Sequence, residues 1–165
     1  MNLLIQEILR EEIKQNIEKG KPVKLRVAGK SMRPYLRGDG NDEIFVYPCQ
    51  PCQLKPGDIV LFSYRGKYLF HRIIRRKGNQ LTIQGDGNLR ETETAQAEEI
   101  LGIVKTIRRP GCKPTSPYSF RAKIYWRIWL SLRPIRRYLL FIYNYKIEKC
   151  NSKKESKLKR SPANT

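Results

Sequence analysis

Residues 57–84 read GDIVLFSYRGKYLFHRIIRRKGNQLTIQ. Two tight turns punctuate this run, Arg65-Gly66-Lys67 and Lys77-Gly78-Asn79-Gln80, each with a glycine where the chain must reverse. The segments between them read as strands. Asp58-Ile59-Val60-Leu61-Phe62 is a buried strand by its unbroken apolar run. Tyr68 to Arg75 returns beside it and carries the chain's single histidine, His71; Leu81 to Gln84 follows.

The same grammar extends outward. Upstream, Val23, Leu25 and Val27 alternate with Lys24 and Arg26, a strand with one buried face that runs directly into Ala28-Gly29-Lys30-Ser31-Met32-Arg33-Pro34. A turn at Gly38-Asp39-Gly40 precedes a strand over Glu43 to Tyr47, and Cys49 to Lys55, which contains Pro51, is a loop. Downstream, Gly85-Asp86-Gly87-Asn88 ends the Leu81 strand, and Ile100 to Ile107 is the last strand. About six short strands with Gly/Pro turns predict a mainly β domain built on a partly closed sheet. Before it, Leu3, Leu4, Ile8, Ile13 and Ile17 recur at helical spacing; Gly20 stops this amphipathic helix and Pro22 forbids its continuation.

Charge divides the chain. The total is +19 over 165 residues, with 39% hydrophobic residues. Residues 1–104 hold 17 Lys/Arg against 13 Asp/Glu, whereas residues 105–165 hold 17 against only Glu148 and Glu155. A nearly balanced domain over 1–108 is thus followed by a linker over 109–117 and a basic extension suited to an anionic surface. Ser116-Pro117 resembles a helix start. Residues 118–149 read as a basic aromatic helical extension divided by Pro134, and the polar residues 150–165 as a disordered tail. Within the extension Trp126, Trp129, Leu140 and Phe141 alternate with Arg127, Arg133, Arg136 and Arg137. Such a helix suits the lipid headgroup layer; docking on the domain or on a partner is the other reading. No segment reaches the ~18 apolar residues of a spanning helix, and no secretory signal is apparent. The expected setting is cytoplasmic or peripheral to a membrane, with the four cysteines as free thiols.

Chemistry rests on an ordered set of blocks. Gly29-x-Ser31-Met32-x-Pro34 is followed by Gly57-Asp58-Ile59-Val60, His71-Arg72-Ile73-Ile74 and Gly85-Asp86-Gly87-Asn88, each at a strand edge. A serine hydroxyl is a poor nucleophile until a base takes its proton. A neutral imidazole can do so near pH 7, its unperturbed pKa being about 6.5. Gly29 permits close backbone approach, Pro34 stiffens the turn that presents Ser31, and the Ser31 N–H is a natural oxyanion donor. Met32 either packs beneath the site or faces lipid.

This ordered set resembles the signal-peptidase-like serine peptidases, which include the signal peptidases and the self-cleaving repressors. It is most similar to the branch that uses histidine as base. The resemblance spans roughly residues 3–108. It implies a β-rich fold, cleavage of peptide bonds with Ser31 as nucleophile and His71 as base, and a preference for small side chains beside the scissile bond, with Gly29, Met32 and Pro34 on the substrate side. A carboxylate is needed to hold the second ring nitrogen of His71. Asp86 is the first choice, with Glu91 or Glu93 as alternatives because the resemblance places an acidic residue a few positions further on. Asp39 and Asp58 read as turn formers.

The function expected is therefore that of a serine endopeptidase acting on a leader, signal or precursor peptide, associated with an anionic membrane surface. The alternative is a catalytically silent β-domain that binds anionic lipid or nucleic acid through its basic extension. Nucleic acid is the weaker partner, since the lone helix over residues 2–19 has no partner helix to form a reader. Cys49-x-x-Cys52 has metal-ligand spacing but lacks two further ligands, so it reads as a loop with free thiols and no metal is expected. The sequence contains no phosphate loop or dinucleotide fingerprint, and no cofactor is implied.

Overall fold

The two glycine turns close as two-residue hairpins, pairing Tyr64 with Lys67 and Lys77 with Gln80. Arg65 and Gly66 both take positive φ (49° and 73°), which matches the twist of the flanking strands. These hairpins belong to a computed structural model that describes the backbone of residues 3–160 and the side chains of residues 11–149. The chain forms helix α1 (Leu3–Glu18), then strands β1 (Val23–Ala28), β2 (Asp39–Tyr47), β3 (Ile59–Tyr64), β4 (Lys67–Lys77), β5 (Gln80–Gln84), β6 (Glu93–Gln96) and β7 (Ile100–Arg108), and finally helices α2 (Phe120–Ser131) and α3 (Arg136–Arg160).

The protein is mainly β. Its seven strands form one antiparallel sheet in the order β1-β2-β7-β3-β4-β5-β6. The last strand of the series, β7, inserts between β2 and β3 and joins the two halves. The sheet is open rather than partly closed, with β1 and β6 as its edges. Closure is not needed to complete a core, because each half buries its own face. β3 lies at the junction and shows why: Ile59 and Leu61 point into one cluster with Ile44, Val46 and Val104, while Val60 and Phe62 point into another with Ile73, Leu81 and Ile83. Ile13 of α1 is buried in the first cluster and Ile17 packs against it. The α1 residues before Glu11 have no described side chains, so their apolar face lies outside the described residues.

One strand has no counterpart in the sequence reading. β6 pairs with β5, Ile83 opposite Glu93 and Leu81 opposite Ala95. Its inward positions are a glutamate and an alanine, so it lacks the apolar alternation that marks the other strands.

The break at Pro134 falls between α2 and α3, and Ser119 caps α2 by accepting from the Ala122 N–H. α3 continues to Arg160, past the boundary expected at residue 149; residues 161–165 lie outside the described residues. Both helices dock on the sheet domain. Ala122, Trp129, Arg136 and Leu140 are buried, and Trp126 packs its indole against Gly57, where an added Cβ would come within 2.9 Å of the ring. The outer side keeps Phe120 (78% exposed), Ile124, Ile128, Tyr138, Phe141, Ile142 and Tyr145 in solvent. Among the described residues, no helix is long and apolar enough to cross a membrane.

Candidate active site

Ser31 stands in the turn that follows β1. Gly29, with φ of 98°, bends the chain out of the strand, and its N–H donates to the Gly38 carbonyl. A Cβ on Gly38 would fall 1.6 Å from the Gly29 oxygen, so the neck of the loop closes only on a glycine. Inside the neck, the Arg33 N–H donates to the Lys30 carbonyl and the Leu36 N–H to the Met32 carbonyl. Met32 (2% exposed) and Leu36 are plugged into the first core cluster and anchor the turn from below. Of the two placements expected for Met32, it takes the one beneath the turn, and its burial leaves it no surface to offer a peptide. Gly29 is exposed beside Ser31, and Pro34 is half-buried, its carbonyl accepting from the Tyr143 hydroxyl at 3.3 Å.

His71 lies on β4 opposite Val60, on the face that forms the second core cluster. Its ring is 3% exposed, and the Phe62 ring lies 6.2 Å away. Nδ1 is 3.0 Å from Glu93 Oε2. Glu93 is itself 8% exposed and reaches the ring from β6, past the end of β5. A carboxylate accepts hydrogen bonds, so in the neutral imidazole this contact favours the tautomer with its proton on Nδ1, in which Nε2 is the acceptor.

Nε2 is buried without a hydrogen-bond partner. It faces Gly85, where a Cβ would lie 3.1 Å from Nε2 and only 2.4 Å from the Ser31 carbonyl oxygen. The missing side chain is thus what brings the Ser31 backbone up to the His71 ring. The loop is held there by the Gly87 N–H, which donates to the Ser31 carbonyl at 2.7 Å. In this arrangement the Ser31 hydroxyl does not itself bond Nε2.

Asp86 does not orient His71. It forms a double hydrogen bond to Arg72, 2.9 Å to Nε and 2.7 Å to Nη2. The reason is strand geometry: His71 and Arg72 are consecutive on β4 and point to opposite faces, and Asp86 lies on the Arg72 face. Burial opposes the Arg72 charge, but Asp86 outweighs it and raises the guanidinium pKa. Arg72 also donates to the Gly57 carbonyl and stacks 4.7 Å from the Tyr35 ring centre. Glu91 is exposed. Of the three carboxylates considered from sequence, Glu93 is the one at the ring. Asp39 and Asp58 accept from the backbone N–H groups of Asn41 and Lys55 respectively, as turn residues do.

The extension docks on the domain, the second of its two expected placements, and it does so against this site. The Trp129 indole donates to the Asp86 carbonyl at 2.8 Å. Tyr125 stacks against Trp129 and packs on Tyr35. Arg33 donates to Asn144 of α3, and Lys30 pairs with Glu148. The only signal available in sequence was the density of aromatic residues in a segment that cannot span a membrane. Cys49 is half-buried, Cys52 is exposed, and among the described residues no group of three or more His, Cys, Asp or Glu side chains is placed to hold a metal ion.

Comparison with family models and with curated proteins finds no match for this chain.

Proposed function

We propose that the protein is a serine endopeptidase that cleaves a leader, signal or precursor peptide, with Ser31 as nucleophile, His71 as general base and Glu93 as the carboxylate that orients the base. The observation that carries this reading is the state of the His71 ring. One nitrogen is bound to a buried carboxylate, and the other is buried, unpartnered and turned toward the Ser31 loop. Buried polar atoms are nearly always hydrogen-bonded, so an unpartnered one calls for a reason, and a catalytic role is one such reason. A base whose free lone pair faces a serine loop is in that position.

In this scheme the Ser31 hydroxyl rotates toward Nε2 as substrate binds. The oxygen attacks the scissile carbonyl while its proton passes to Nε2, and Glu93 stabilises the imidazolium formed. His71 returns the proton to the leaving amine, which gives an ester on Ser31. Water then attacks that ester with His71 again acting as base, releasing the acid and restoring the hydroxyl. The Ser31 N–H is a donor for the oxyanion. The outer edge of β1 leads directly into Ser31, and an extended peptide can add there as a further strand. Similarity of the four blocks to signal-peptidase-like enzymes supports the same scheme, with small side chains preferred beside the scissile bond. The exposed apolar side chains of α2 and α3, set among arginines, support peripheral association with an anionic bilayer.

The direct test is labelling with a fluorophosphonate, followed by mass spectrometry of the labelled peptide. The label is expected on Ser31, absent from Ser31→Ala and strongly slowed in His71→Ala. Folded wild-type protein that stays unlabelled, or carries the label elsewhere, would favour the catalytically silent lipid-binding domain instead.

A further inference from the structure

Gly87 connects the Ser31 loop to a second feature of the surface. On one side its N–H holds the Ser31 carbonyl, and a Cβ there would fall 2.4 Å from the Lys30 oxygen. The same glycine also lines an open groove of about 690 Å³ between the segment after β5 and helix α3. Leu140 is the buried member of its lining; Leu89, Tyr138 (69% exposed) and Phe141 (73% exposed) are largely in solvent, and Arg137 stands among them. A second hollow continues past Arg137 over Asn88, Arg90 and Glu91. Among the described residues, Arg137 has no carboxylate within ion-pairing distance.

We propose that this groove is a substrate subsite, which takes a bulky apolar side chain of an extended peptide together with a neighbouring acidic residue, several positions from the bond cleaved at Ser31. The proposal rests on the peptidase reading and names the substrate class for that site. Three features support it. The volume is that of a pocket able to enclose large side chains, and its lining is mainly apolar with one charged group, as binding sites are built. The charge in the groove is complementary to an acidic residue, since Arg137 is the charged side chain of its lining, and the adjoining hollow adds Arg90 against Glu91. The groove is continuous with the candidate active site through Gly87, and Asn144 in its wall accepts a hydrogen bond from Arg33 of the Ser31 loop. A lipid acyl chain could meet the apolar walls, but that would not account for a groove that ends on Gly87, whose N–H holds the carbonyl of the candidate nucleophile.

The test uses the full-length chain and a synthetic library of 14-residue peptides that vary independently in apolar and acidic content, with cut sites read by mass spectrometry. Cleaved peptides should share a bulky apolar residue at a constant offset from the cut, with an acidic residue beside it. Phe141→Ala or Tyr138→Ala should lower kcat/KM for those peptides by roughly 10-fold or more, while fluorophosphonate labelling of Ser31 keeps its wild-type rate. Both side chains are exposed, so their truncation spares the core. Arg137→Glu should exchange the acidic preference for a basic one. Unchanged selectivity in all three variants, with Ser31 still labelled, would overturn the subsite and leave the peptidase reading standing. Loss of binding to phosphatidylglycerol vesicles without any change in selectivity would assign the groove to lipid and equally overturn it. Wild-type protein that neither cleaves nor labels would remove both readings together.

Discussion

The indole N–H of Trp129 donates to the main-chain carbonyl of Asp86 at 2.8 Å, from within the interface between α2 and the loop that carries Gly85 and Gly87. Those two glycines contact the Ser31 carbonyl, so the helical extension reaches the candidate nucleophile through one intervening residue. Trp129→Ala would remove a buried aromatic ring and leave that carbonyl unpaired, a loss of about 3–5 kcal/mol. Ile128→Ala, at the exposed neighbouring position, should stay within about 0.5 kcal/mol of wild type. Urea titration of the two variants measures both. Equal stabilities would mean that α2 does not support the domain.

Glu93 and Asp86 should separate cleanly by mutation. In Glu93→Gln the amide can donate to Nδ1 and drive the ring proton onto Nε2, which abolishes the base. Labelling of Ser31 should then fall by a factor on the order of 10⁴, as for a neutralised triad carboxylate. Asp86→Asn instead leaves the buried Arg72 guanidinium short of its counter-charge. The expected result is destabilisation of about 3–5 kcal/mol. Fast labelling in Glu93→Gln, coupled with slow labelling in a fully folded Asp86→Asn, would exchange the two roles.

Acid sensitivity should trace in part to Asp42. Burial pushes its carboxyl up, but the hydrogen bonds from Arg109 and from the Arg37 N–H outweigh this and hold it below its ordinary value. A carboxyl depressed in the folded state stabilises fully above its unfolded pKa of about 3.9, and that contribution is lost as pH falls through the folded value. Asp42→Asn should therefore be less stable than wild type at pH 7, by about 1–3 kcal/mol. The difference should shrink below about pH 4. Parallel stability curves across that range, measured by chemical denaturation, would rule out this linkage.

Membrane association should depend on the outer face of α2. Phe120, Ile124 and Ile128 follow one another at four-residue spacing and are exposed, with Arg121, Lys123 and Arg127 between them. Inserted apolar side chains and basic residues near an anionic leaflet, at about 1 kcal/mol each for the latter, act together. Co-sedimentation with phosphatidylglycerol vesicles should be strong in low salt, weak with neutral phosphatidylcholine, and reduced several-fold in Phe120→Ser/Ile128→Ser. Equal binding to both lipids would remove the electrostatic part of the argument.

Much of the fold could be read from local pattern. The glycine turns at residues 65–67 and 77–80, the alternation of Val23, Leu25 and Val27, and the stop at Gly20-Lys21-Pro22 each depend on neighbours in the chain, and turn geometry and side-chain alternation are properties of a few consecutive residues. The same holds for the position of His71 on a strand and of Ser31 in the turn after one. β6 was invisible by that logic, because a strand whose inward residues are Glu93 and Ala95 carries no apolar period.

Sequence alone thus determined a mainly β domain, a serine turn, a histidine strand and a basic helical extension. Only the tertiary structure decided which carboxylate meets His71, since that depends on the face of β4 from which each side chain projects and on a strand pairing that spans β5. It also decided which aromatic and aliphatic residues of the extension are buried. Trp129 and Leu140 meet the domain while Phe141 stays in solvent, a choice made by the shape of the surface on which the helices rest and not by the hydrophobicity the three side chains share.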